Sequence, residues 1–379
     1  MKFGQKQQNL ILPADRPIHD WYRFVLSFPP HLVRKYICEF GLRPGDMLLD
    51  PFCGTGTTIV EAKFHGLQSI GVEANPFPHF ASAVKTNWCV NPTSLLQMAY
   101  DVSLAARDVL SSQGIVDQAL FSPDNLHFRV LPEDTGRLLI KDSICPLPLH
   151  KTLVLLDQIN KHNLNPEHKY MILALGDALV GEIGNLKFGP EVGVGKKKGD
   201  VSVISSWFSR VEKMVEDLRR VNGKIHSESH IYLEDARSLV HLLEPKSVDA
   251  VITSPPYPNE KDYTRTTRLE SVVLGFYKDR PQLRQFKKTF VRSNTRSIYK
   301  ADDDDRWVSG NTEVEALANE IEARRIRMGK TSGFERMYTR ATMLYFGGMT
   351  RHLFQLRHAL KPNARVAMVL GIKHPTCKS

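Results

Sequence analysis

The sequence predicts an α/β fold, a parallel sheet with helices on both faces, interrupted by two insertions. Three observations predict it. A strand–loop–helix–strand unit fills residues 46–73. The same alternation resumes near His230 and runs to a last strand at 364–370. Between these parts, at 76–227 and 261–333, the alternation is lost.

The elements follow in order. Residues 1–20 read as an irregular lead-in. From Pro29 to Phe40, apolar residues fall at helical spacing (Leu32, Val33, Tyr36, Ile37, Phe40), and Gly41 is a stop signal before the turn Arg43-Pro44-Gly45-Asp46. Met47-Leu48-Leu49, ending in Asp50, is a buried-strand pattern. Ile59 to His65 reads as a helix capped by Gly66, and Ser69 to Val72 as a second strand ending in Glu73. The first insertion carries helical stretches near 93–112, 150–161, 167–183 and 202–221, with a Gly- and Lys-rich loop before the last. Ile231-Tyr232-Leu233 is a third strand and Ser238 to Leu243 a helical turn. Val248 to Ile252 is a fourth strand, which runs into Thr253-Ser254-Pro255-Pro256-Tyr257. After the second insertion come a long helix, about 336–359, a turn at Lys361-Pro362-Asn363 and the strand 364–370.

Composition bounds the class. Of 379 residues, 42% are hydrophobic and 24% charged, ordinary for a folded domain. The net charge of +10 favours a polyanionic partner such as nucleic acid. The five cysteines (Cys38, Cys53, Cys89, Cys145, Cys377) form no Cys-x-x-Cys pair, which argues against zinc ribbons and a disulfide framework, so no metal is expected. No apolar run approaches the length of a membrane span or signal segment, and a cytoplasmic location is expected, with no membrane partner.

The loop DPFCGTGTT at 50–58 joins a strand to a helix. Gly54 and Gly56 permit close backbone approach to a ligand and positive φ. The helix begins near Thr57, and its free N–H groups form a weakly positive cradle. Glu73 ends the next strand, 23 residues after Asp50, where an acid can accept hydrogen bonds from both ribose hydroxyls of a nucleoside. Ile59 stands where a dinucleotide fingerprint needs its third glycine, and no Gly-Lys-Ser/Thr follows, so a pyrophosphate is disfavoured. An adenosine with a zwitterionic amino-acid tail, as in S-adenosylmethionine, suits the loop better.

Ser254-Pro255-Pro256-Tyr257 follows the fourth strand, so it opens on the same carboxyl edge as the glycine loop. An exocyclic amine on a base is a weak nucleophile, because its lone pair delocalises into the ring. Acceptors aimed at its protons draw the nitrogen toward tetrahedral geometry. Ser254 supplies a side-chain oxygen and Pro255 a backbone carbonyl, while the Pro255 and Pro256 rings stiffen the loop. Tyr257 supplies a face on which a flipped base stacks.

These residues resemble the amino-group DNA methyltransferases, which act on cytosine N4 or adenine N6 with S-adenosylmethionine as methyl donor. DPFCGTGTT looks like that family's first motif, Glu73 like its ribose-binding acid and TSPPY at 253–257 like its catalytic motif. Asp235 looks like the residue that contacts the cofactor's adenine, and Tyr22 to Ile37 like the motif that closes over the methionine end. The resemblance implies a Rossmann-like class I methyltransferase sheet. Residues 1–75, 228–260 and 334–379 would form the catalytic domain. The helical insertion 76–227 would be a target-recognition candidate, and 261–333 a basic insertion contacting DNA. It implies that Asp50, Phe52, Gly54, Gly56, Thr57, Glu73 and Asp235 hold the cofactor and that Ser254, Pro255, Pro256 and Tyr257 act on the base. A serine before Pro-Pro-Tyr is more typical of the cytosine N4 enzymes. The expected partners are double-stranded DNA with a flipped target base and a cognate restriction endonuclease. Residues 261–300 carry eleven Lys/Arg against three Asp/Glu. Arg284, Lys287, Lys288, Arg292 and Arg296, with Lys196-Lys197-Lys198, are the expected phosphate contacts. The acidic run Asp302 to Asp305 reads as a solvated loop. The family fold continues past the strand 364–370 with a helix and an antiparallel strand pair that the tail GIKHPTCKS does not supply, so the expected sheet lacks its C-terminal strands and leaves an open edge. Three other readings remain open at this point: adenine N6 as the acceptor, an RNA base methyltransferase, and a truncated copy that binds without turnover.

Overall fold

Leu48 and Leu49 point to opposite faces of one strand, and both are fully buried. A strand covered on both faces is what a doubly wound parallel sheet requires. The computed structural model describes residues 11–23, 27–118, 127–189, 192–221, 227–258 and 262–370. The first ten residues of the expected lead-in, residues 24–26 of the closing motif, two residues of the Gly- and Lys-rich loop and the tail 371–379 with Cys377 lie outside them.

Among the described residues, five strands form the sheet: β1 (Met47–Asp50), β2 (Gln68–Glu73), β3 (Ser229–Leu233), β4 (Val248–Thr253) and β5 (Leu360–Met368). Their order is β3-β2-β1-β4-β5, and every pairing is parallel. This is a Rossmann-like arrangement, with its switch point between β1 and β4. On one face the helix Pro30–Phe40 sets Val33 and Ile37 against Leu48, Ala250 and Ile252. On the other, Leu239, Leu243 and the end of the helix Tyr338–Ala359 cover Leu49, Val72 and Val251. Lys361-Pro362-Asn363 is a bulge within β5 rather than a turn before it. The register steps from Val248↔Leu360 to Ala250↔Arg365, and Asn363 takes φ 65°. β3 and β5 are the outer strands among the described residues.

The first insertion starts later than expected. Pro76–Thr86 is a helix that packs on the sheet as the crossover from β2, and a side chain at Gly56 would strike Ser82 Oγ at 2.5 Å. Beyond it, the helices Pro92–Ser112, Pro146–Asn160, His168–Ala178 and Val203–Val221 share one core around Trp207, Tyr170 and Met171. That core also takes in Trp21, Tyr22, Phe77 and Leu269, so the helical part is fused to the sheet domain. The Gly- and Lys-rich loop holds a short antiparallel ladder, Leu186–Lys187 with Gly193–Val194. In the second insertion, Arg280–Lys288 and Thr312–Arg327 are helical.

The run Asp302 to Asp305 is not a solvated loop. Asp304 is 3% exposed and pairs with Arg237 and Arg351, and Asp302 pairs with Arg292. Among the described residues, no helix is long and apolar enough to cross a membrane.

Candidate active site

The loops after β1 and β4 meet at the switch point and wall a cleft of about 990 Å3, open mouth included. Pro51 to Thr55, Thr57, Glu73, Asn75, Glu234, Ala236, Ser254 to Tyr257 and Tyr263 contribute to its lining, along with Ser27 and Phe28 from the segment before the first helix. Of the expected cofactor residues, Phe52, Gly54, Thr57 and Glu73 therefore face the cleft.

Asp50, Gly56 and Asp235 do not line it. Asp50 is fully buried beneath the loop, where its Oδ1 accepts from Thr253 Oγ1 at 2.6 Å and from Phe52 N at 3.1 Å. It fastens the ends of β1 and β4 together. Among the described residues its Oδ2 has no hydrogen-bond partner, and burial pushes the carboxyl up to about 6. Gly56 is required by the close approach of Ser82 and by its φ of 83°. Gly54 differs: its φ is 52°, and a Cβ there would meet nothing within 4 Å. The Asp235 carboxylate is gripped by Arg237 Nε and Nη2 at 2.6–3.1 Å, so Glu234 and Ala236 face the cleft in its place. Burial alone would lower the Arg237 pKa, but the Asp235 and Asp304 carboxylates hold it above its ordinary value.

Glu73 accepts from Gly54 N at 2.9 Å and Asn75 N at 2.7 Å. Burial pushes its carboxyl up to about 7, against the lowering pull of these amides. Asn75, missed in the sequence, also lines the cleft. Its side chain donates to Thr267 Oγ1 at 3.2 Å and accepts from Tyr277 OH at 2.7 Å, which ties β2's exit to the second insertion.

In the tetrapeptide, Ser254 Oγ donates to Val369 O at 2.9 Å and lies 3.3 Å from Tyr257 OH. Tyr345 OH donates to Pro256 O at 3.0 Å, and Tyr257 N donates to Tyr263 OH at 3.2 Å. Two tyrosines that the sequence reading missed thus clamp the loop backbone. Burial raises the pKa of both, to about 12 for Tyr345, so both stay protonated. Tyr263 lies only six residues past Tyr257, close enough to the motif to have drawn notice. Tyr345 is 89 residues from Pro256, and no local signal marks it.

Several expected phosphate contacts have other roles. Lys287 pairs with Asp262 at 2.5 Å. Arg292 is 2% exposed, pairs with Asp302 and donates to the Lys287 and Phe290 carbonyls. Lys198 caps carbonyls of Glu182 and Gly184 at 2.7 and 2.8 Å, and Lys197 pairs with Asp142 at 3.0 Å. Arg284, Lys288, Arg296 and Lys196 are exposed.

Residues 6–81 match the sequence profile of the family described as DNA methylase. The chain is 26% identical to the Type II methyltransferase M.BsoBI of Geobacillus stearothermophilus, over 97% of this chain and 76% of that protein. It is 24% identical to the Type II methyltransferase M.AvaI of Nostoc sp., over 71% of this chain and 57% of that protein, so it spans little more than half of that relative's length. A 47-residue stretch is 40% identical to a tRNA (guanine(10)-N2)-dimethyltransferase of Methanothermobacter thermautotrophicus, covering 12% of this chain and 14% of that protein. No solved structure matches.

Proposed function

The chain is a relative of the amino-group DNA methyltransferases, and from that premise we propose that it methylates the exocyclic amino group of a base in duplex DNA at specific sites, with cytosine N4 as the acceptor. S-adenosylmethionine, when bound, supplies an electrophilic methyl group. The cleft suits that cofactor: the space in front of Gly54 is open, and Glu73 presents a carboxylate fixed by two amides. Phe52, Gly54, Thr57, Glu73 and Ala236 would hold it, while Asp50 and Gly56 hold the loop itself. Asp235 acts through its grip on Arg237.

The observation that carries the reading is the state of Ser254. Its proton is committed to Val369 O, so its oxygen is left as an acceptor on the cleft wall. That is the polarity an amine needs opposite its N–H. Pro255 and Pro256 keep the loop rigid, with the Tyr345 and Tyr263 hydroxyls fixing its backbone. The acceptors are therefore preorganised before the base arrives. Tyr257 lines the cleft and offers the base its ring. A neutral hydroxyl in the place of a carboxylate is what favours cytosine, through the family resemblance. A cognate restriction endonuclease is the partner this reading implies.

Contact with the DNA backbone falls to the exposed cations Arg284, Lys288, Arg296 and Lys196, and to the hairpin between the helices Thr312–Arg327 and Tyr338–Ala359. Arg324, Arg327, Lys330 and Arg336 are exposed there.

The experiment is transfer of labelled methyl from S-adenosylmethionine to unmethylated genomic DNA, followed by digestion to nucleosides and mass identification. N4-methylcytosine is the expected product. N6-methyladenine corrects the base. Label on tRNA and none on DNA overturns the reading.

A further inference from the structure

A smaller pocket of about 220 Å3, open mouth included, branches from the cleft. It shares Ser27, Phe28, Thr55 and Thr57 with the cleft and is otherwise lined in part by His19, Arg23 and Lys85. Glu73, Asn75, Glu234 and Ala236 do not line it, so it opens at the end of the cleft away from the nucleoside wall.

Lys85, on the helix that follows β2, is 1% exposed. Its ammonium donates to the Tyr22 carbonyl at 3.2 Å, and among the described residues no carboxylate pairs with it. The comparison within the molecule is Lys151, which is equally buried and pairs with Asp200 at 2.5 Å. A buried ammonium has three donors and needs them matched. Burial, reinforced by Arg23, pushes Lys85 down to about 7, although Asp20 and Asp177 pull the other way. His19, which lines the same pocket, is itself pushed well below its ordinary value by burial and by Lys85. A cation left without a counter-ion, on a pocket that opens from a ligand cleft, is built for an anion carried by the ligand.

We propose that Lys85, with Arg23 beside it, receives the α-carboxylate of the cofactor's amino-acid tail. This rests on the reading of the cleft as a site for S-adenosylmethionine. The tail then enters between Ser27–Phe28 and Thr55–Thr57, and the Ser27 Oγ to Thr55 Oγ1 contact at 3.4 Å marks its gate.

The test compares two probes on the full chain by calorimetry: S-adenosylhomocysteine, and its decarboxylated analogue, which lacks only that group. Lys85→Met should weaken the first by about 10- to 100-fold, the range of a hydrogen bond to a charged group, and the second by no more than about twofold. Equal loss for both probes, or no loss, overturns the proposal. Should Lys85→Met fail to fold, the wild type alone decides. At pH 8 the carboxylate-bearing probe takes up protons as Lys85 regains its charge, and the analogue does not. Equal uptake overturns the proposal. If the wild type binds neither probe, the cofactor reading of the cleft falls with it, and that failure is distinct from binding that ignores Lys85.

Discussion

Ser254 has one proton to donate, and the fold directs it to Val369 O. In the proposed reaction its value therefore lies in the oxygen. Ser254→Ala should lower turnover about 100-fold, the order found when one preorganised polar group is removed from a reacting centre. Affinity for S-adenosylhomocysteine should stay within about twofold, and the split between single-turnover rate and binding constant checks this. A parallel loss of both would make the residue structural. Glu73 gives a second test at this scale. Its carboxyl is pushed up to about 7 by burial, and on the proposed reading only the ionised form would accept from both hydroxyls of a bound ribose. Affinity for 5′-methylthioadenosine, which has no carboxylate to engage Lys85, should rise with pH through about 7 and level off above it. The slope below that point should approach tenfold per unit. Glu73→Gln should bind weakly with a flat profile. The sign for stability is opposite: the folded value lies above the ordinary 4.5, so the ligand-free protein loses this group's contribution as pH rises from about 4.5 to about 7. Residue identities at the cleft were legible because they sit at strand ends in short motifs. The split between Gly54, open to the cleft, and Gly56, packed on Ser82, was not, since it depends on a helix some twenty residues away.

Elements were legible where periodicity was local. The helix Pro30–Phe40 and strands β1, β2 and β4 lie within a residue or two of their expected bounds. The helix Pro76–Thr86 was hidden because Pro76 and Pro78 read as loop, whereas proline is well tolerated in a first turn. The acidic run misled for another reason. Charge suggests solvent, but Asp304 answers Arg237 and Arg351, which are distant in the chain. Its docking explains Gly347 in the middle of the long helix Tyr338–Ala359. A Cβ at Gly347 would lie 1.9 Å from the Asp304 carbonyl oxygen. Replacing an interior helical glycine with alanine ordinarily gains stability, by about 1 kcal/mol. Here the clash with backbone reverses the sign. Gly347→Ala should cost about 1–3 kcal/mol and lower the melting temperature. Gly333→Ala, where nothing lies within 4 Å, should leave it unchanged. Equal melting curves for both variants would show that the loop carrying Asp304 is not seated on the helix.

At the scale of the whole molecule, the helix preceding β5 bears on where DNA would lie in the proposed function. In a parallel sheet such a helix starts at the carboxyl edge of the strands and ends at the amino edge. This one has 22 residues, about 33 Å at 1.5 Å per residue, against roughly 20 Å for a six-residue strand. Its excess length stands at the catalytic edge: Tyr345 touches Pro256, and seven residues remain before the helix begins at Tyr338. The hairpin that joins it to Thr312–Arg327 therefore projects about 10 Å past the tetrapeptide. Its exposed surface combines Arg324, Arg327 and Arg336 with Ile326, Met328 and Phe334 at 54–63% exposure, while Lys330 pairs with Glu335 at 3.6 Å. Cations with apolar tips beside a cleft proposed to take a flipped base suit a duplex opened at one step. The sequence points to 261–300 and to Lys196-Lys197-Lys198 for the DNA contacts because positive charge clusters there, but Lys287, Arg292 and Lys197 pair with Asp262, Asp302 and Asp142. Density of charge does not distinguish paired from free cations; only the fold does. Replacing Arg324, Arg327 and Arg336 together by alanine should weaken duplex binding at low salt for every sequence tested. It should also reduce the slope of log affinity against log salt by up to about 2.7, at about 0.9 for each phosphate no longer neutralised. Lys287→Ala, by contrast, should leave that slope unchanged. If the triple variant keeps the wild-type slope while binding S-adenosylhomocysteine normally, the hairpin does not touch the backbone, and Arg284, Lys288 and Arg296 become the cations to replace next.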